Sequence, residues 1–333
     1  MDWRKGYTAE YYAEYVDPDT WRGIGRFEIT SGKVVRKDSG LLQSADIGCT
    51  KVVGDDLWIR LWMNAKQDGD TAHVALFTGL SSYPSDNIDG YHMTYDAQLY
   101  SVLRPADKYL LPLGWFAPKG MKGTDLIKEL LSVGPAPIVI EGESPILSQN
   151  IIAEKNETGL TMTEKILEAI GWRMIIDGMG VIHILSPAKT HVAVYDPIDN
   201  DAIEPVIKRD RDSFDCPNVI RCIKGDDSAI ARDDDPDSPL STVRRGYEIW
   251  AQETDCKLND NESLGGYAIR RLKELQAYSV NVSYDRRFNP DINVTDIVSM
   301  NYPRQNIVGL YRVTSQNITL GYGGKTSEEV IKI

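Results

Sequence analysis

The segment NPDINVTDIVSMNYPRQNIVGLYRVTSQNITLGYGG runs from Asn289 to Gly324. Two apolar, strand-length runs flank a polar turn, and each run carries aromatic residues. In the first run Val298, Met300 and Tyr302 share one face while Ile297, Ser299 and Asn301 share the other, the period of two that a strand imposes. Asp296 stands at the turn that enters it. Nothing in the segment has the residue types of a catalytic pattern. It reads as scaffold, and locally it suits a barrel wall or an ordinary β-sandwich equally well.

The same β character fills the chain from its start to Asp107. GRFEIT (Gly25–Thr30), GKVVRK (Gly32–Lys37) and LQSADIGC (Leu42–Cys49) predict short strands broken by turns at Ser31-Gly32 and Asp38-Ser39-Gly40. LWIRLWMNA (Leu57–Ala65) and TAHVALFTGL (Thr71–Leu80) predict a hairpin around KQDGD. Trp58, Arg60 and Trp62 share one face of the first of these, and Ile59, Leu61 and Met63 the other. Both faces are largely apolar, so the strand is expected to be covered on both sides. Gly90–Asp107 continues the sheet.

The pattern then changes. KGTDLIKELLSVG (Lys122–Gly134) predicts a short helix with Thr124 as N-cap and Gly134 as terminator. TMTEKILEAIG (Thr161–Gly171) predicts a second, with a Thr161/Glu164 capping box and a buried stripe of Ile166, Leu167 and Ile170. WRMIIDGMGVIHIL (Trp172–Leu185) reads as a hairpin around Asp177-Gly178-Met179-Gly180. Beyond it the chain returns to β. NVIRCIKG (Asn218–Gly225) is a strand, ARDDDPDSPLSTVRRG (Ala231–Gly246) a long polar loop, and ESLGGYAIRRLKELQAYS (Glu262–Ser279) a helix with Tyr267, Ala268, Leu272 and Leu275 at helical spacing. The expected organisation is a β domain over 1–114, a small α+β module over 115–195, and a second β domain over 196–333 that carries an acidic loop and one helix.

A chain of 333 residues, 42% hydrophobic and 26% charged, can bury a sizeable core. No apolar run approaches the ~20 residues that span a bilayer, so no membrane segment is expected. The start, MDWRKGYTAEYY, lacks the apolar region of a secretory signal, which predicts synthesis and first folding in the cytoplasm. The net charge of −12 argues against a duplex-binding groove. Much of it lies between Asp196 and Glu262, where 18 acids meet 9 bases. The aromatic set, 17 Tyr and 7 Trp against 5 Phe, suits surfaces buried on association as well as half-exposed packing.

Signals for chemistry are weak. Cys49, Cys216, Cys222 and Cys256 have no C-x-x-C spacing and read as reduced, buried thiols. His73, His92, His183 and His191 are scattered. Asp38-Ser39-Gly40 matches the aspartic-protease triplet, but Arg36 and Lys37 precede it and no second copy exists, so it reads as a turn. G-x-S-x-G, H-E-x-x-H, Walker A and G-x-G-x-x-G motifs are absent. DPIDNDAIE (196–204) lacks the glycine and terminal acid of a calcium loop. DDDPD (Asp233–Asp237) reads as a solvated charge run. No catalytic residue, metal ligand or cofactor site is predicted.

Three stretches carry a resemblance. DPDTWRGIGRFEITSGKVVRKDSGLLQSADIGC near the start, WRMIIDGMGVIHILSP with NVIRCIKGDD and DSPLSTVRRG in the middle, and YAIRRLKELQ leading to NPDINVTDIVSMNYP and GLYRVTSQNITL near the end recur in this order and spacing in a known group. The whole chain resembles the XkdQ-like tail-hub family of phages and phage-derived contractile particles, related to the central baseplate hub of contractile tails. The resemblance implies a mainly β, α+β fold: two β-barrel-like domains joined by a smaller α/β insertion. It implies a homotrimer whose six barrels form a ring mimicking the tail tube. It further implies a virion tail or tip protein, made in the host bacterial cytoplasm, that adapts the tail tube or distal tail protein to a tip or spike protein. The ring would surround the channel used by the tape-measure protein and then by DNA, which passes without specific binding. Two other functions were open to the sequence: a tail-associated cell-wall hydrolase, and a receptor- or carbohydrate-binding tip protein. On the hub reading, Asp233, Asp234 and Asp235 are the favoured acids to face the lumen, and an outer solubilising loop is the alternative for each.

Overall fold

The computed structural model describes residues 1–3, 5–51, 53–89, 92–186, 194–195, 203–211, 213–254, 256, 258, 262–277, 280–305, 307–321 and 323–333. Most of the calcium-loop comparison at 196–204 falls outside them, as do His191 and the acids Asp196, Asp199, Asp201, Asp212, Asp255 and Asp260.

Six antiparallel strands come first: β1 (Thr8–Val16), β2 (Gly23–Lys37), β3 (Gln43–Cys49), β4 (Trp58–Gln67), β5 (Asp70–Asp89) and β6 (His92–Ser101). Their spatial order is β1-β4-β5-β6-β3-β2, and β2 pairs back onto β1, so the sheet closes into a barrel. Ile59, Leu61 and Met63 fill it together with Val34, Ile47, Phe77 and Leu99. The β4–β5 hairpin turns through Asp68 and Gly69, both at positive φ, with Gln67 opposite Asp70. That is the tight turn whose twist matches the strands it joins. Ser31-Gly32 is not the turn expected from the sequence. β2 runs straight through it, with a bulge near Ile29–Ser31 opposite β3. A bulge bends a strand and lets it continue, and both glycine and serine tolerate it.

The module on the outside of this barrel contains α1 (Arg104–Lys108), β7 (Phe116–Ala117), α2 (Gly123–Leu131), β8 (Ile138–Glu141), β9 (Ile151–Ile152), α3 (Gly159–Ile170), β10 (Arg173–Ile176) and β11 (Ile182–Leu185). β10 and β11 form the expected hairpin, and β8 joins β11 in parallel. Both expected helices are present with different caps. The N-cap residue of α2 is Lys122, and Thr124 is buried with its N–H donating to Ser144 Oγ at 3.3 Å, so the capping acceptor comes from a loop twenty residues on. The last turn of α2 closes at Ser132 rather than at Gly134. In α3 the capping box is Thr158 with Thr161, one turn earlier than expected. The stretch read as a continuing strand before Asp107 ends in α1.

The remaining elements are β12 (Val194–Tyr195), β13 (Ile203–Arg211), β14 (Val219–Lys224), β15 (Asp227–Arg232), α4 (Thr242–Arg245), β16 (Trp250–Thr254), α5 (Leu264–Ala277), β17 (Val280–Arg286), β18 (Ile297–Tyr302), β19 (Ile307–Leu320) and β20 (Thr326–Lys332). β12-β18-β19-β20-β17-β13 make the second barrel-like wall, and no β12–β13 pairing closes it among the described residues. Its core holds Val282, Val298, Met300, Val313 and Val330. Val298 and Met300 are buried as the alternation of the opening segment requires. The chain between the paired strands β13 and β17 forms a separate small sheet, β15-β14-β16, covered on one face by α5 with its own cluster of Ile220, Cys222, Ala231, Cys256, Tyr267, Ala268 and Leu272. The long polar loop at 231–246 is shorter than expected, because β15 takes its start and α4 its end. Cys49, Cys216, Cys222 and Cys256 are all buried and unbridged.

The module is fastened to the first barrel by its hairpin loop. Arg60, on the outer face of β4 and 2% exposed, donates from Nε to Thr78 Oγ1 (3.0 Å), from Nη1 to Glu14 Oε1 (3.2 Å) and from Nη2 to Met179 O (3.1 Å). Thr78 Oγ1 in turn donates to Gly178 O at 2.8 Å, and Trp21 Nε1 to Met179 O at 2.9 Å. Trp58 adds apolar contact by entering the module's core. The loop lies so close that a Cβ at Gly178 would stand 1.9 Å from Ala75 O. Gly178→Ala is therefore expected to destabilise the protein by about 1–3 kcal/mol, as overpacking does. Gly6→Ala, where a Cβ meets nothing within 4 Å, should stay within about 0.5 kcal/mol of the parent. Urea unfolding of both variants measures the difference.

Candidate assembly site

The acids singled out in the sequence come together in one turn between β15 and α4. Asp233 Oδ1 accepts from Asp235 N (3.3 Å), and its Oδ2 accepts from Ser238 Oγ (2.7 Å) and Gln276 Nε2 (3.0 Å). Asp234 accepts from Thr242 Oγ1, and Asp235 Oδ1 from Asp237 N at 2.9 Å. Asp233 is half-buried, while Asp234 and Asp235 are exposed. These carboxylates first serve the loop itself, shaping its backbone as Asp side chains do in turns. Asp233 also anchors the loop to α5 through Gln276.

A second site, less visible in the sequence, decides how the two barrel-like units sit together. β19 is shared by both. Along one edge it pairs with β20; along the other it pairs first with β18 (Ile307–Arg312) and then with β2 (Ser315–Leu320). β18 and β2 thus abut end to end, and the twelve strands form one continuous sheet. Asp38 N–H donates to Thr314 O, Thr295 N–H to Val313 O, and Val313 N–H to Asp296 O, which seals the joint. Asp296 Oδ2 also accepts from Asn293 N at 2.8 Å. Burial pushes its carboxyl above the ordinary range.

Beside this joint the sheet encloses charge. Glu328 on β20 is fully buried, and Arg286 on β17 is 4% exposed. Arg286 Nη2 donates to Glu328 Oε1, and Gln316 Nε2 on β19 donates to the same oxygen at 2.7 Å and to Ile292 O at 2.8 Å. Burial opposes the charge of Arg286, and Glu328 more than offsets it, so the guanidinium is held above its ordinary value. Burial beside Glu328 pushes the Tyr284 hydroxyl well up. Glu328 shares a face with Thr326 and Val330, both buried. An acid at an inward position of an alternating strand was the available signal. Glu328→Gln leaves Arg286 buried without its counter-charge and is expected to cost about 3–5 kcal/mol. The paired change Arg286→Met with Glu328→Leu should recover most of that loss, and guanidinium unfolding of the three proteins measures it.

Seven tryptophans and many apolar side chains can now be placed. Trp250 alone among the tryptophans is exposed, under the guanidinium of Arg221 at 5.4 Å, on the face of the small sheet opposite α5; Ile230, exposed on the far strand, shares that face. A second apolar patch, Phe116 paired with Ile152, lies on the module. A third, Ile88 and Met93, sits on the two-stranded arm where β5 and β6 run on past β4 and β3. Among the described residues no group of His, Cys, Asp and Glu could hold a metal ion, and no helix is long and apolar enough to cross a membrane.

No protein-family model matches this sequence, and no curated protein matches it by sequence. Solved structures do match in shape. The tail protein from Neisseria meningitidis MC58 superposes with a TM-score of 0.71 at 12% identity, covering 98% of this chain and 97% of that one. The 43 kDa tail protein of prophage MuSo2 from Shewanella oneidensis gives 0.67 at 12% identity, covering 97% of each chain. A component of the Escherichia coli type VI secretion system, itself described as structurally similar to bacteriophage T4 tail proteins, gives 0.55 at 8% identity over 96% of this chain and 76% of that one. Over nearly its whole length, this chain has the mainly β fold of these phage tail proteins.

Proposed function

We propose that this chain is a structural hub protein of a phage tail or phage-like particle. The observation that carries the reading is the fold it shares over nearly its whole length with phage tail proteins, including two barrel-like units in one polypeptide. Three copies supply six such units, the number needed to seat on a hexameric tube while presenting threefold symmetry to a tip or spike. The shared β19 supports this, because it holds the two units of one chain at a fixed angle. The exposed patches at Trp250, at Phe116 and at Ile88 are the surfaces that contacts with other copies, the tail tube or distal tail protein would cover. On this reading the strands of 1–114 and 196–333 build the ring, 115–195 together with α1 is the insertion, and the chain acts without catalysis of its own. The tape-measure protein and then DNA pass through the bore, and the protein resides in the virion. Electron microscopy of the particle, or of the purified chain at high concentration, is expected to show a ring of three copies. A particle with one copy, or with six identical copies, overturns the reading.

The acidic turn gives a finer test. Asp234 and Asp235 project into solvent, and in a ring solvent fills the outside and the bore. We place them at the bore, where negative charge repels a polyanion and prevents it from sticking. Replacing Asp233, Asp234 and Asp235 together with Lys should leave particles assembled and slow genome release. The effect should weaken as salt screens the charges. Unchanged release kinetics, or carboxylates that face the exterior in a particle map, reject the placement.

A further inference from the structure

A groove of 740 Å³ runs between α5, the outer face of β18–β20 and the start of β10. Its floor is apolar. Ile297, Arg312 and Ile331 stand opposite one another on adjacent strands, and α5 adds exposed Ile269 to the lining. Five cations line it, Arg173, Arg270, Lys273, Arg312 and Lys332, against the one carboxylate side chain of Glu274. Arg270 is bridged to Glu262 and Glu274, and Arg312 to Asp38. Lys273 and Lys332, both exposed, and half-buried Arg173 have no carboxylate within ion-pair distance among the described residues. Burial, with Arg312 adding repulsion, holds the Arg173 guanidinium below its ordinary value. In a chain of net charge −12, this is an uncompensated positive site with donors open to solvent.

The first barrel carries a surface of the complementary kind. Beyond the rung of Asp86 with Tyr95, where β3 still pairs through Cys49, β5 and β6 run on alone to Asp89 and His92, ~10 Å further. Ile88 and Met93 form a cross-strand pair there, 69% and 49% exposed. From Ser81 to Asp96 the sequence has three Asp and no Lys or Arg, and Asp86 and Asp89 flank Ile88. A lone two-stranded ribbon gains little stability in water, and no described residue of the arm lines the groove of its own chain. In a ring of two-unit chains, every boundary between copies sets the first unit of one against the second unit of the next, which brings an arm to a groove. A nucleic acid fits the groove less well, because the lining offers no aromatic side chain for a base to stack on. We propose that the tip of the β5–β6 arm of one copy docks in this groove of a second copy, with its carboxylates toward Lys273, Lys332 and Arg173 and the Ile88–Met93 pair on Ile269 and Ile297. The closed ring rests on the hub reading; the contact itself rests on the two surfaces alone. Each copy gives one arm and receives another, a head-to-tail contact.

Disulfide trapping between copies of the full chain tests the docking. A mixture of Ile88→Cys and Ile269→Cys chains is expected to give linked dimers under mild oxidation. Either variant alone, or Ile88→Cys mixed with Leu113→Cys, is expected to give none; all three positions are exposed. Lys273→Glu with Lys332→Glu should weaken self-association about tenfold or more in sedimentation equilibrium, because like charges are set against each other. Asp86→Lys with Asp89→Lys should do the same, and a chain carrying all four changes should recover the parent's association. Added salt should weaken the contact of the parent and of the quadruple variant alike. The trap uses only exposed positions, so a charge-reversed chain that fails to fold does not decide the outcome. No linked dimer from Ile88→Cys with Ile269→Cys overturns the proposal. So does self-association that the two lysine changes leave untouched while they abolish binding of a fluorescent oligothymidylate, which puts a nucleic acid in the groove. A ring of three copies whose grooves are empty rejects the docking and leaves the hub reading standing. Linked copies that never close a ring support the docking and reject the hub reading.

Discussion

One strand has to serve two walls, and the rest of the architecture follows from that. β19 gives its first half to β18 and its second half to β2 along a single edge, while β20 holds the other edge. A strand edge can pair with only one neighbour at each point, so β18 must end where β2 begins. The turn before β18 is therefore forced into a tight path. That path is visible in Thr295 at positive φ and in the Asx-type hydrogen bond between Asp296 and Asn293 N–H. Ile318 and Leu320, from the second half of β19, pack in the core of the first barrel. The C-terminal segment thus completes a domain that begins some three hundred residues earlier, a long-range pairing of the kind that folds slowly.

Buried arginines mark the places where separate parts of the chain meet. Arg60 joins the barrel to the module, Arg286 ties β17 to β20 beneath the joint, and Arg36 stands where three parts converge. None of these is an efficient way to gain stability, since apolar residues of similar volume would avoid the cost of removing charge from water. What a guanidinium offers is a rigid fork of donors that can satisfy carbonyls from different elements at once. Arg60 shows this directly. Its donors reach Thr78, Glu14, Trp21 and Met179, residues from four separate stretches. Apolar contacts at the same place would tolerate sliding, whereas these hydrogen bonds fix one arrangement.

Elements whose period was regular were legible in the sequence. The β4–β5 hairpin, the β10–β11 hairpin, α5 and the inward faces of β4 and β18 sit where alternation, helical spacing and Asp-Gly turns placed them. Caps and breaks were less legible because they depend on distant partners. Thr124 looked like a cap, but Ser144 supplies the acceptor, and Ser31-Gly32 looked like a turn until β3 and β19 paired on either side of it. The candidate site was legible only in part. The acids 233–235 were visible as a charge run, but their role in shaping a turn comes from Thr242, Ser238 and Gln276. The charges at the joint were not recognised. Arg36 precedes Lys37 on a strand whose faces look evenly polar, and only the arrival of Asn293 and Leu76 from elsewhere buries it.

A ring assembled from two-unit chains contains two kinds of neighbour contact, one within a chain and one between chains. On the proposed hub, both must hold adjacent units at the same fraction of a turn, because the tube above sees six equivalent positions. The contact within the chain is a continuous sheet with a buried ion pair beneath it, a geometry set by backbone hydrogen bonds and insensitive to concentration. The contact between chains has to be made by surfaces that stay soluble before assembly, and the separate apolar patches at Trp250, Phe116 and Ile88 are of that modest kind. The stiff contact acts as a template for the weak one. In the proposed ring, all six units would meet the tube together only when a neighbouring copy repeats the angle that β19 imposes, which would place the fidelity of the ring in the joint rather than in the interfaces it creates.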